Sequence, residues 1–240
     1  MDRILKAGAI ALGLHGALSY ATPKDEQIKT DCARIDDYAQ AGNTAYQQGH
    51  MDRAVDEFTA QAAWSEFCRL PPGAINTAYN NVALALIHSG EPLKAAAWLS
   101  LAPADDKTRV NLALIQPVLD RLRPALAATP MGNYWRYAGK GVWSTIAVQP
   151  EGNVWKISFN GFYMPVMGMY YGPNMGEFSV VQSLEGGHGV YRQDEQADGS
   201  SCQVNMTFKA DVATLETLSG DCGFGVNVRA NGDFKRVSLY

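Results

Sequence analysis

Apolar and polar positions follow two different patterns on the two sides of residue 130. Before it, apolar residues recur at helical spacing in a stretch dominated by Ala, Leu and Gln. After it, Gly, Val, Phe, Tyr and Thr occur in short alternating runs, which is the pattern of β-strands. The sequence therefore predicts an α+β protein of two domains, a helical domain at 22–129 and an antiparallel β-domain at 130–240.

The helical pattern predicts five helices. They lie near 26–48, 51–69, 74–89, 91–101 and 106–127. Pro92 stands at the start of the fourth helix, where the missing N–H of proline costs nothing. Asp105 or Asp106 can cap the fifth helix, and the Pro71-Pro72-Gly73 segment ends the second.

Two helical hairpins of this domain resemble tetratricopeptide repeats, in which small residues line each hairpin and glycine forms its turn. The matching positions are Ala41-Gly42, Gly49, Ala54 and Phe58 in the first unit, and Val82-Ala83, Gly90, Ala95, Leu99 and Ala102 in the second. The chain departs from the motif at Gln61, and its turn glycines are further apart than the motif's roughly 34 residues. The resemblance implies a repeat surface for protein contacts, and an unrelated helical bundle is the alternative.

The alternating pattern predicts eight short strands. They lie at 141–148, 155–159, 176–182, 189–192, 202–209, 214–218, 226–230 and 233–237. Asn231-Gly232, between the last two runs, is the strongest hairpin signal in the chain. So many short strands in roughly 105 residues predict a small antiparallel barrel or sandwich.

The β-domain resembles that of periplasmic lysozyme-inhibitor-like proteins. The residues that carry the resemblance are Gly141-Val142-Trp143, the run from Cys202 to Phe208, the run from Cys222 to Val228, and Gly232-Asp233-Phe234. The shared pattern is a cysteine that opens a strand, a Cys-Gly about twenty residues later and a Gly-x-aromatic end strand. The resemblance implies a β-domain pinned by a disulfide, and it implies inhibition of an enzyme as the activity.

Residues 1–21 have the three parts of an export signal. Arg3 and Lys6 give a positive start, and an apolar run follows from Ala7 to Leu18. Small residues at Ser19 and Ala21 predict cleavage after Ala21. A membrane anchor is the alternative, but the apolar run is shorter than the roughly 20 residues of a spanning helix. We therefore expect a periplasmic or secreted protein without a membrane anchor.

The four cysteines favour disulfides, because their number is even and the chain is predicted to be exported. Four cysteines allow three pairings. Cys32 and Cys68 are centred on the predicted helical turn at Gly49-His50, and Cys202 and Cys222 on a predicted hairpin turn at 210–213. Each pair would lie across antiparallel neighbours, as disulfide geometry requires. Free buried thiols are the alternative.

The charge of the chain argues against nucleic acid and anionic lipid as partners. Without Arg3, Lys6 and Asp2 of the export signal, residues 22–240 have 18 Lys and Arg against 23 Asp and Glu, a net charge of −5. Both kinds of partner require a basic surface, which a mildly acidic chain does not supply.

No motif for a catalytic nucleophile, a phosphate loop or a dinucleotide site occurs in the chain. The cysteine spacings do not match a metal site, and disulfides would leave no free thiol. The sequence therefore predicts a non-enzyme without catalytic residues, metal or cofactor. An enzyme whose polar groups meet only in the fold is the alternative.

Two surfaces are candidates for contact with a partner protein. The stretch 159–178 combines Met and Tyr with Gly and Pro and predicts a binding loop, with a core-filling crossover as the alternative. The inner face of the helical repeats is the second surface. The candidate residues are Tyr170, Tyr171, His188 and Tyr191 in the β-domain, and Asn43, Gln47, Asn80 and His88 in the helical domain.

These observations favour an exported protein-binding protein that neutralises an enzyme. It would be an immunity protein against an antibacterial toxin or an inhibitor of the lysozyme type, with a toxin or hydrolase as its partner. The alternative is a non-catalytic periplasmic scaffold or assembly factor of the cell envelope.

Overall fold

The computed structural model describes residues 24–195 and 199–240. It consists of a helical part followed by an eight-stranded antiparallel sheet that curls into a nearly closed barrel, as the sequence predicts. The predicted export signal at 1–21 lies outside the described residues. Within the described ranges, no helix is both long and apolar enough to cross a bilayer.

The helical part contains six helices before the sheet. They are α1 (Asp25–Ala33), α2 (Ile35–Gln47), α3 (Met51–Phe67), α4 (Pro72–His88), α5 (Pro92–Leu99) and α6 (Asp106–Ala128). The single helix predicted at 26–48 is divided in two at Arg34. The other predicted helices are present, with ends that differ by a few residues.

Small residues allow the helices of each hairpin to approach closely. A methyl group at Gly42 would lie 2.5 Å from the ring of Phe58 on α3, so only glycine fits beneath that ring. Gly49 and Gly90 both have positive φ, and each ends a helix with the same reversal of the chain. The two helical hairpins therefore share their turn geometry.

Polar contacts join α6 to the preceding hairpins. The side chain of Asp105 accepts a hydrogen bond from the backbone N–H of Lys107 and caps the helix. Asn80 of α4 donates to Thr108 and accepts from Asn111, both on α6, at 2.9 Å. These bonds hold the last helix against the stack.

The sheet contains eight strands and one short helix. They are β1 (Gly132–Gly139), β2 (Val142–Glu151), β3 (Val154–Tyr163), α7 (Gly168–Tyr171), β4 (Asn174–Gln182), β5 (His188–Gln193), β6 (Ser201–Phe208), β7 (Val212–Asp221) and β8 (Gly232–Arg236). The strand order is β4-β3-β2-β1-β8-β7-β6-β5. Buried side chains such as Tyr134, Phe159 and Phe234 fill the barrel.

The two end strands of the sheet, β4 and β5, meet through side chains. The Gln182 side-chain oxygen accepts a hydrogen bond from the Val190 backbone N–H at 3.2 Å. The rings of Phe178 and Tyr191 stack with centroids 4.2 Å apart. Side-chain contacts therefore close the barrel between β4 and β5.

Two strand predictions were wrong. β1 was missed, because its tyrosines and tryptophan alternate with polar residues only in part and both of its faces are covered. The predicted strand at 226–230 is a loop, although Val228 and Ala230 are buried on alternate positions as in a strand. Asn227 has a φ of 65°, which breaks an extended conformation. The hairpin predicted at Asn231-Gly232 is therefore absent.

Both predicted disulfides are present. Cys32 of α1 is bonded to Cys68 at the end of α3, with the Cα atoms 5.9 Å apart. Cys202 of β6 is bonded to Cys222, just after β7, with the Cα atoms 4.9 Å apart. The chain has no free cysteine, and the two bridges indicate an oxidising compartment.

Candidate functional site

The outer face of the β1–β2 hairpin packs against the helices. Trp135 and Tyr137 on β1 and Trp143 on β2 share this face, because Tyr137 lies opposite Trp143 in the antiparallel register and side chains alternate along a strand. Tyr134 and Ile146, on the other face, are in the barrel core. One hairpin therefore contributes to the barrel core and to the contact with the helices.

The tip of this hairpin is held by Glu66 of α3. One carboxylate oxygen accepts a hydrogen bond from the Tyr137 hydroxyl, and the other accepts one from the Lys140 backbone N–H at 2.8 Å. The Gly141 N–H donates to the Tyr137 oxygen at 2.8 Å. A methyl group at Gly141 would lie 3.0 Å from Thr59, and the φ of Gly141 is +76°, so glycine is required at this contact.

Aromatic rings fill the space beside Glu66. Tyr137 contacts Tyr79, Trp98 and Trp143, with ring centroids 4.8–6.1 Å apart. Burial, and after it the negative charge of Glu66, raises the pKa of Tyr79 and of Tyr137 well above the ordinary value. Both hydroxyls therefore stay protonated and can donate to the carboxylate.

A cleft opens to solvent where this contact ends. It encloses about 270 Å³ between α3, α4 and α5 on one side and the β1–β2 hairpin on the other. Its aromatic walls are Trp98, Trp135 and Trp143, which we call the tryptophan cleft. Trp98 is 3% exposed and forms the floor, whereas Trp135 and Trp143 are half-buried and form a side.

Charged groups line the rim of the tryptophan cleft. The carboxylates are those of Asp52, Asp56 and Glu91, and the one ammonium group in the lining is that of Lys94. Lys94 forms an ion pair with Glu91, and its nitrogen lies 5.7 Å from the centroid of the Trp135 ring. The arrangement combines aromatic faces and negative charge, which is the chemistry that binds a cation.

The Met- and Tyr-rich stretch joins the sheet to the helices. Tyr170 packs edge-on against Trp64 and Phe67 of α3, and its hydroxyl donates to the Asp31 carboxylate at 2.7 Å. Burial, and after it this hydrogen bond, raises the pKa of Tyr170 to about 12. The neighbouring Tyr171 is exposed. Tyr170 is thus engaged within the chain, and Tyr171 is accessible.

The other candidates of the β-domain lie at the β4–β5 end of the barrel. His188 is exposed and is 3.1 Å from the hydroxyl of Thr207. Tyr191 stacks on Phe178, and its hydroxyl donates to the Gln193 side chain at 3.1 Å. Neither residue lines the tryptophan cleft.

The candidates of the helical domain do not share one surface. Asn80 is 3% exposed, and its side chain is used in the bonds to α6 described above, so it lies in the interior. Asn43 and Gln47 are exposed on α2, and His88 is exposed at the end of α4, where its ring contacts Tyr46. The predicted inner face of the repeats therefore lacks Asn80.

None of the residues that line the tryptophan cleft is among the partner-contact candidates of the sequence analysis. Three of the five tryptophans of the chain meet there, from α5, β1 and β2. The usable signal was Trp135 and Trp143 on either side of Lys140-Gly141, a two-residue turn that could join them in one hairpin. Nothing in the sequence pairs these residues with Trp98.

The described part of the chain contains no group of three or more His, Cys, Asp or Glu side chains placed to hold a metal ion. Comparison with protein-family models, curated proteins and solved structures finds no match. The resemblances to tetratricopeptide repeats and to lysozyme-inhibitor-like proteins therefore stay predictions.

Proposed function

We propose that this chain is an exported binding protein that neutralises an enzyme, and that it captures this partner through the tryptophan cleft. The observation that carries the proposal is the cleft itself, which half-buried Trp135 and Trp143 line together with three carboxylates. Tryptophan is among the residues that dominate binding energy at protein interfaces, most of all where it lies in a packed pocket.

The construction of the cleft supports recognition of a partner. Its walls belong to helices and strands, and Glu66, Tyr137 and the buried floor Trp98 hold these elements together. Such a site is arranged before the partner arrives, which reduces the ordering entropy that binding costs. The two disulfides add to this preorganisation, since one constrains the helical part and the other constrains the barrel.

The negative charge of the chain supports the proposal that its target is an enzyme that acts on the cell envelope. Envelope polymers are anionic, so an enzyme that attacks them gains from a basic surface. The acidic rim of the cleft, and the net charge of −5 of residues 22–240, complement such a surface. A lysozyme-type hydrolase and an antibacterial toxin both fit this description.

Inhibition of hydrolysis tests the proposal. The purified chain is titrated into basic peptidoglycan hydrolases, including a lysozyme, while the turbidity of a cell-wall suspension is followed. We expect stoichiometric inhibition of at least one enzyme by the wild-type chain and weaker inhibition by Trp135→Ala. If no hydrolase is inhibited, and if deletion of the gene leaves cells no more sensitive to hydrolases or to toxin-bearing competitors, the proposal fails.

A scaffold of the cell envelope is the second candidate, and a different surface favours it. Val110 and Leu114 of α6 are 63% and 55% exposed, and Leu114 borders a groove of about 610 Å³ that reaches the C-terminal residues. Large exposed apolar residues beside a groove are a feature of protein contact surfaces. This candidate predicts an envelope defect of the deletion strain in pure culture, without any attacker.

A further inference from the structure

We propose that the tryptophan cleft binds an arginine or lysine side chain presented by the partner protein. This inference rests on the proposed function as a binding protein and names the chemical group that the cleft recognises. Four features of the cleft support it: the angles between its rings, its charge, the position of Lys94 and its size.

The three tryptophan rings of the cleft pack against one another at different angles. Trp98 and Trp143 meet edge to face, at an interplanar angle of 76° and a centroid distance of 5.3 Å. Trp135 is tilted by 32° relative to Trp143. A sugar ring stacks on a flat aromatic face, whereas a cation needs only one ring face within about 6 Å of its centroid. The three rings do not form one flat platform, and the Trp135 face already has a cation beside it, which favours a cation over a sugar.

The rim charge selects for a positive group. Asp52, Asp56 and Glu91 face the cleft with Lys94 as their only basic counterpart among the lining residues. Lys94 already pairs with Glu91, so Asp52 and Asp56 remain as the two carboxylates without a basic partner in the lining. Both are exposed on the first two turns of α3. A basic side chain that enters the cleft would meet them.

Lys94 shows where such a cation can lie. Its ammonium group is within the usual range of a cation–π contact with Trp135 and is held there by Glu91, three residues earlier in the chain. The side chain of Lys94 is about one-third exposed, and its ion pair lies at the surface, where such pairs contribute little to stability. A guanidinium from a partner can therefore displace it at low cost.

The size of the cleft fits one side chain. Its volume of about 270 Å³ is just below the range of pockets that enclose drug-sized ligands, roughly 300–1,000 Å³. One arginine or lysine side chain fits in such a space while its backbone remains outside. Arginine is favoured over lysine, since its planar group stacks on tryptophan and is more weakly hydrated than an ammonium.

Binding of a hexa-arginine peptide tests the inference, with tryptophan fluorescence as the readout. We expect Asp52→Asn/Asp56→Asn to weaken binding about fivefold, because exposed ion pairs with these carboxylates are worth up to about 1 kcal/mol each and 1 kcal/mol changes affinity by that factor. Asp36→Asn/Asp37→Asn removes the same net charge from exposed positions on α2 outside the cleft and should change the affinity less than twofold. Lys94→Met should strengthen binding, because it vacates the face of Trp135.

Several results would overturn the inference. Equal losses in the two double variants would show that net charge alone attracts the peptide, and preferential binding of a chitin oligosaccharide in place of the peptide would identify a sugar site. Thermal melts of every variant establish that each is folded. If a hydrolase is inhibited equally by the wild type and by Asp52→Asn/Asp56→Asn, the proposed function stands and this inference fails. If the peptide binds as expected while no hydrolase is inhibited and deletion of the gene leaves cells no more sensitive to hydrolases or to toxin-bearing competitors, the inference stands and the proposed function fails.

Discussion

At the scale of single residues, Arg236 joins the helical part to the barrel. It is 2% exposed, and its guanidinium donates hydrogen bonds to the carbonyl oxygens of Leu126, Met131, Ala210 and Ser238. Leu126 lies in the last turn of α6, where a helix leaves its carbonyl groups without partners. A cation is also favoured at this end of a helix by the helix dipole. Arg236 therefore satisfies carbonyls from four segments of the chain.

Replacing Arg236 by Met should destabilise the protein by about 3 kcal/mol or more, since it leaves several buried carbonyl groups without donors. Lys at this position keeps the charge but cannot reach as many carbonyls, so Arg236→Lys should give an intermediate loss. Urea unfolding followed by circular dichroism measures both. Arg229→Met, at an exposed arginine, is the matched control. Equal stability of Arg236→Met and the control would contradict this role.

The buried hydroxyl of Tyr134 makes stability depend on pH in the alkaline range. Burial, opposed in part by the charge of Arg236, raises the pKa of Tyr134 to about 12. The unfolded chain loses this proton near its ordinary pKa of 10 while the folded chain keeps it. The stabilising contribution is therefore complete below pH 10 and is lost as pH rises toward 12.

Comparison of the wild type with Tyr134→Phe isolates this contribution. Between pH 10 and 12, the unfolding free energy of the wild type should fall more steeply than that of the variant, by up to about 1.4 kcal/mol per pH unit. Urea titrations at several pH values measure the slopes. Identical slopes would show that Tyr134 ionises in the folded protein as readily as in the unfolded chain.

At the scale of elements, the β1–β2 hairpin occupies a face of the helical hairpins. Its tip contacts α3 through Glu66 and Thr59, and its aromatic residues contact α4 and α5. Part of the surface of the helical hairpins is thus covered by the chain's own β-hairpin. The tryptophan cleft is what remains open at the edge of that contact.

Glu66→Gln tests whether the carboxylate of Glu66 holds the β1–β2 hairpin against α3. An amide has one acceptor oxygen, so either the Tyr137 hydroxyl or the Lys140 N–H loses its acceptor, at a cost of about 1–3 kcal/mol. We expect reduced stability in urea and a changed near-ultraviolet circular dichroism signal from the aromatic cluster. Glu57→Gln, on the same helix, is the matched control. If both variants behave alike, the carboxylate of Glu66 does not hold the hairpin.

At the scale of the whole molecule, each of the two parts carries one disulfide. The first bridge closes 36 residues and ties α1 to the end of α3, and the second closes 20 residues and ties β6 to the end of β7. Neither bridge links the helices to the barrel. The two parts are instead joined through Arg236, Glu66, Tyr170 and the aromatic cluster.

Removal of either bridge should destabilise its own part. Cys32→Ala/Cys68→Ala and Cys202→Ala/Cys222→Ala should each lose about 3–4 kcal/mol, slightly more for the longer loop, because the unfolded chain regains conformational freedom. Hydrogen exchange should show the loss mainly in the helices for the first variant and in β6–β7 for the second. A uniform loss across the chain in both variants would mean that the two parts unfold as one unit.

Local sequence patterns predicted the α+β class, most of the helices, the strands other than β1 and both disulfides. These features depend on periodicity and on turns, which are local properties of the chain. The strand assigned to 226–230 failed because burial on alternate residues also occurs in a loop that covers a barrel. β1 failed because a strand with both faces buried lacks the simple alternation of apolar and polar residues.

The location of the candidate site depends on tertiary contacts and could not be read from the sequence. Trp98 and Trp135 are far apart in sequence, and their meeting depends on how the hairpin docks on the helices, which no local pattern encodes. The same holds for Asn80, a polar residue that the helical register placed on a surface and that the packing of α6 buries. Local patterns specify elements, whereas a cleft between elements is specified by contacts between distant residues.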